Sequence, residues 1–91
     1  MVYMITYDLN APGQDYSGLI ATINECSTGN IFSAWKSSYL IQSNLTVEKI
    51  MEKINPHMDR NDNLIVIEVT NNYSGWLNLE DGSWDKVKNL F

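Results

Sequence analysis

The hydrophobic pattern begins with Tyr3-Met4-Ile5-Thr6-Tyr7-Asp8-Leu9, apolar almost from its start and carrying a carboxylate near its end. Such a run, rich in aromatic and branched side chains, predicts a strand. Asn10-Ala11-Pro12-Gly13 behind it has the composition of a turn. The period then lengthens. Tyr16, Leu19, Ile20, Ile23 and Cys26 recur at helical spacing, with Asp15 as the expected cap and Thr28-Gly29-Asn30 as the stop. Two short β segments are predicted next, Ile31 to Trp35 and Ser38 to Ser43, separated by Lys36-Ser37 as a hairpin turn or a kink. Thr46 caps a second helix with Val47, Ile50, Met51 and Ile54 on one face. Pro56 ends its regular part, because the residue before a proline is pushed away from helical geometry.

Asp59-Arg60-Asn61-Asp62-Asn63 reads as a polar loop, and Leu64-Ile65-Val66-Ile67-Glu68-Val69 as the strongest strand after the first. Asn71 and Asn72 form a turn, Trp76-Leu77-Asn78-Leu79 a short strand, and Asp81-Gly82 another turn. Ser83 then caps a last helical turn presenting Trp84, Val87 and Leu90. The order is β-α-β-β-α-β with a C-terminal extension. Short connections in one domain spanning residues 1–91 make this an α+β chain of the ferredoxin-like, split βαβ kind. Both helices are expected on one face of an antiparallel sheet, with the first and third strands central. The fourth strand then falls at an edge. Leu64 to Val69 is long, apolar and poor in edge-protecting residues, and such an edge invites pairing. Either the C-terminal segment or a second copy of the chain is its natural cover, so a homodimer is expected. Leu64, Val66, Trp76 and Trp84 are the expected interface residues.

Charge changes the picture of what such a dimer touches. The net charge is −5, with 6 basic and 11 acidic residues. Nonspecific nucleic-acid binding draws mainly on Lys and Arg, so a large phosphate-gripping surface is disfavoured. No apolar run reaches the length of a membrane span, and the N-terminal residues lack the pattern of a signal peptide. A single cysteine, Cys26, has no internal disulfide partner, which fits a cytoplasmic location.

Tyr7-Asp8-Leu9, Ser38-Tyr39-Leu40-Ile41 and Asp62-Asn63-Leu64-Ile65-Val66-Ile67 resemble the small ferredoxin-fold CRISPR-associated proteins of spacer acquisition. The opening Tyr7-Asp8-Leu9-Asn10-Ala11-Pro12-Gly13-Gln14-Asp15-Tyr16 is similar to the SinR-like branch of that family, small bacterial and phage proteins. Pro56-His57-Met58-Asp59, Asn61-Asp62 and Gly75-Trp76-Leu77 extend the similarity. The resemblance implies a homodimer with each first-strand aspartate near the dimer axis. It implies further that Asp8 binds a divalent ion, Mg or Mn, for phosphodiester cleavage in nuclease-like members, while other members are non-catalytic scaffolds. The basic residues that nuclease-like members carry after the first strand are missing here.

Asp8 has two readings from the residues themselves. It is half of a two-carboxylate Mg²⁺ site, since hard ions take oxygen ligands, or it caps the following turn. Asp59-x-Asn61-x-Asn63 starts like a calcium loop but lacks the glycine at Leu64 and the glutamate at Thr70. His57 has no second His or Cys to complete a metal set. Cys26 lies on an apolar helix face and reads as a buried thiol. Trp35, Tyr39, Trp76 and Trp84 suit core packing or an oligomer interface better than base stacking, because basic and glycine residues do not accompany them. Two functions follow: a non-catalytic, acidic homodimer that engages a protein partner, of phage or mobile-element type, or a metal-dependent nuclease or nucleic-acid-associated dimer using Asp8.

Overall fold

The structure, a computed structural model, describes residues 1–11, 13, 15–33, 35–79 and 81–91. Its centre is β1 (Val2–Asp8), which pairs antiparallel on both sides. One neighbour is β3 (Ser38–Gln42), with Tyr3 opposite Ile41 and Ile5 opposite Tyr39. The other is β4 (Asn63–Val69), with Tyr3 opposite Glu68 and Ile5 opposite Val66. The short β2 (Ile31–Phe32) pairs with β3, so the antiparallel sheet runs β2-β3-β1-β4 and β4 is an edge. Alternation decides which side chains are buried together. Tyr3 and Ile5 of β1 and Ile41 of β3 form one core with Leu19, Ile23 and Cys26 of α1 (Ser17–Cys26) and Ile50 and Ile54 of α2 (Val47–Ile54). Tyr3 is fully buried because its hydroxyl has a partner, donating to the Leu45 carbonyl at 2.6 Å.

Both helix starts obey local chemistry, in different ways. The Thr46 hydroxyl accepts the backbone N–H of Lys49, which is the side-chain cap expected of it. Asp15 sits one residue further out than a cap. Its carboxylate accepts the Ser17 N–H at 2.9 Å, two residues on, and Tyr16 holds the cap position without a side-chain bond. Pro56 ends the α geometry of α2 but not its turning, since Asn55 stays right-handed helical and Asn55–His57 continue as one 3₁₀ turn.

β2 is shorter, and the β2–β3 connection correspondingly longer, than the pattern predicts. β2 stops at Phe32, and Ser37 turns the chain with φ 71°, which makes Lys36-Ser37 a turn. The Pro12-Gly13 turn, the Gln14 of the opening motif and the Ala34 of the second strand fall partly or wholly on residues outside those described; Gly13 itself has φ +80°.

The C-terminal segment lies across the sheet face that α1 and α2 leave bare. Residues 76–79 are irregular rather than a strand. Gly82, at φ +87°, turns the chain into α3 (Ser83–Lys88), which buries Val87, and Leu90 is buried beyond its end. Val87, Trp84, Phe91 and Tyr73 enclose a small cavity of about 170 Å³ with Met4, Leu40 and Val69 of the sheet. The Gln42 amide donates to the Leu90 carbonyl and fastens the end of the chain to β3.

Candidate functional site

β1 delivers Asp8 to the end of the sheet, opposite Asn63 of β4, as a strand of this register must. The Asp8 carboxylate is exposed, and its Oδ2 accepts the side-chain amide of Asn10 at 2.9 Å and that of Asn63 at 3.5 Å. The Asn10 amide also donates to the Asn61 carbonyl. Asp8 is thereby tied into the turn that follows it and into the loop before β4. A divalent ion needs several oxygens. Among the described residues, no three His, Cys, Asp or Glu side chains converge, and the Asp8 oxygen nearest the loop is occupied by amide donors.

The carboxylate that organises this corner is Asp62. It accepts the Asn10 N–H at 2.7 Å, the Asp59 N–H at 2.8 Å, and the Tyr16 hydroxyl at 2.7 and 2.8 Å to its two oxygens. Partial burial alone would raise its pKa, but the hydrogen bonds from Asn10, Asp59 and Tyr16 outweigh it and hold the group below the ordinary carboxylate value. Burial and the same carboxylate push the Tyr16 phenol upward. One side chain therefore joins the β1–α1 loop, the start of α1 and the α2–β4 loop. From sequence this loop reads as merely solvated. The available signal was strand pairing: once Asp8 faces Asn63, residue 62 must lie beside residues 9 and 10.

The aromatic residues part company. Tyr39 stands on the helix side of the sheet and stacks on Tyr7 with centroids 6.4 Å apart. Trp35, exposed in the β2–β3 turn, borders with Tyr7, Leu9, Lys36 and Tyr39 an open groove of about 560 Å³. Trp84 is half-buried and stacks on Tyr73 at 6.2 Å, while Trp76 is 90% exposed. Burial raises the pKa of the Cys26 thiol, a neighbouring Lys53 opposing it only in part, so this sulfur is held as an unreactive thiol. The half-buried His57 ring packs under α1, where a Cβ on Gly18 would come within 2.6 Å of its Nδ1.

β4 divides its apolar residues between two surfaces. Leu64 and Val66 face the helices and pack on the core. Ile65 and Ile67 point to the opposite face, beyond the reach of the C-terminal cover, and remain 57% and 49% exposed. Four successive apolar residues carry no alternation, so the sequence could not say which pair faces out. Two large branched side chains, Ile65 and Ile67, are thus left exposed on one sheet face. No helix among the described residues is long and apolar enough to cross a membrane. Comparison with protein-family models, with curated proteins and with solved structures finds no match to this chain.

Proposed function

We propose that this chain is a non-catalytic, acidic homodimer that engages a protein partner, and that its sandwich is of the ferredoxin-like kind. The observation that carries the reading is the uncovered part of the second sheet face, where Ile65 and Ile67 are both exposed. The strand order β2-β3-β1-β4 supports the fold assignment, and with it the kinship to small CRISPR-associated proteins suggested by the opening motif. Fully burying one isoleucine gains about 1.5–3 kcal/mol, so each half-exposed isoleucine has roughly half of that left to gain. Two copies contribute twice. Over the two isoleucines of each of two copies the gain is about 3–6 kcal/mol, which meets only the low end of the roughly 4–15 kcal/mol cost of association. A reversible dimer, weak rather than obligate, is the expected result.

Asp8 fits the non-catalytic side of the reading, since its carboxylate accepts the side-chain amides of Asn10 and Asn63 and ties the end of β1 to the loop before β4. Methyl spectra of the isoleucines across a dilution series test the dimer face: Ile65 and Ile67 should shift with concentration while buried Ile5 and Ile23 stay fixed. A spectrum independent of concentration would contradict the reading. Metal-dependent cleavage of DNA or RNA that Asp8→Asn abolishes would replace it with the nuclease reading.

A further inference from the structure

We infer that the groove between α2 and the outer edge of β4 is a docking site for an extended, basic peptide segment, which adds to the sheet as a strand. The sheet ends at β4, and among the described residues its outer edge pairs with no other strand. An open edge carries a row of backbone donors and acceptors that an extended chain satisfies, while alternate side chains of that chain enter whatever pocket flanks the edge. Here the pocket is a groove of about 630 Å³ running beside the strand, with Val47, Met51, Leu64 and Val66 as its apolar floor.

Charge selects the occupant. Glu48 and Glu52 of α2 line the groove. Glu68 stands on the same face of β4 as Val66, and both Glu48 and Glu68 bear on the buried Tyr3 phenol, whose pKa burial and these two carboxylates raise. The cations of α2 are Lys49 and Lys53. Lys49 bridges to Glu52 at 3.2 Å in an exposed pair. Lys53 bears on Cys26, on the α1 side of the helix. Glu48 and Glu52 on the rim, with Glu68 further along the same face of β4, outnumber the one neighbouring ammonium and leave the groove acidic, so a strand alternating apolar and Lys or Arg residues matches both floor and rim. A second copy of this acidic chain would bring like charge to the same edge. Complementarity of this kind sets specificity and encounter rate more than raw affinity. The dimer reading uses the opposite face of the sheet, and the two surfaces meet at Ile65 on the edge.

The test uses the whole chain, ¹⁵N-labelled, and a blocked peptide of alternating lysine and valine matched to the 7 residues of β4. Saturable amide shifts should appear along β4 and α2, and binding should weaken as salt rises from about 0.05 to about 0.5 M. Glu48→Lys with Glu52→Lys should weaken binding about tenfold or more, since it turns attraction into repulsion. If that variant folds poorly, Glu48→Gln with Glu52→Gln serves, with a smaller loss in the same direction. No shifts on β4, equal binding by a peptide of alternating glutamate and valine, or an unchanged affinity in the folded variants would overturn the proposal. So would shifts of Val47 and Met51 on the α2 side of the groove on dilution alone, which would place a second copy there rather than on the opposite face.

Discussion

At the scale of single residues, Asp62 and Asp8 show how two carboxylates in one corner differ in consequence. Asp62 receives donors from three segments, and its pKa is lowered in the folded chain. The stability it contributes is therefore complete above the ordinary carboxylate value of 3.8 and is lost as pH falls through the lower folded value. Asp15, lowered by its bonds to Ser17, acts on the same acid limb. Asp62→Asn should then flatten the acid limb of a melting-temperature profile without abolishing it, and a limb of unchanged slope would mean that these bonds do not hold the charged form. Asp8 has no such hold on the fold beyond two amide contacts. Asp8→Asn should be quiet in thermal melts, and neither Mg²⁺ nor Mn²⁺ should raise the wild-type melting temperature, because an ion stabilises only the state that binds it. A metal-dependent rise lost in Asp8→Asn would show the opposite. The place of Asp8 at the end of the first strand was legible from the sequence. The role of Asp62 was not, because two of its three partners, Tyr16 and Asn10, lie 46 and 52 residues away in the chain.

At the scale of elements, burial separates positions that periodicity treats alike. Ile20 and Ile50 both fit an apolar helical stripe, yet Ile50 is fully buried and Ile20 only half so. Ile50→Ala should cost about 2–5 kcal/mol. Ile20→Ala should cost about 1 kcal/mol, with less apolar area returned to water. Denaturant unfolding of the two variants checks the ranking, and equal losses would mean that α1 sits deeper on the sheet than described. The helices, the two long strands and the Thr46 cap could be read from sequence because each is fixed by neighbours within a few positions. The stretch at 76–79 could not. Its alternation suggests a strand, but Leu77 is drawn instead into the cavity between the C-terminal segment and the sheet. Tertiary packing there overrides local propensity.

At the scale of the whole molecule, the C-terminal segment is what decides how much of the sheet remains bare. It covers the second face over Met4, Leu40 and Val69 and stops short of Ile65 and Ile67. Sequence reasoning found the exposed edge and offered the C-terminal segment or a second copy as its cover. The structure leaves that edge unpaired and lays the segment over part of the second face instead, and a second copy is proposed for the rest of that face. Sedimentation equilibrium of the wild-type chain and of Ile67→Lys, at matched micromolar concentrations, tests this most directly. An ammonium on the face would have to be desolvated on association, whereas the monomer leaves position 67 in water. The account predicts a mass approaching twice the 10.4 kDa of one chain for the wild type and the single-chain mass for Ile67→Lys. A wild type that stays at the single-chain mass, or a variant that dimerises as well as the wild type, would contradict it.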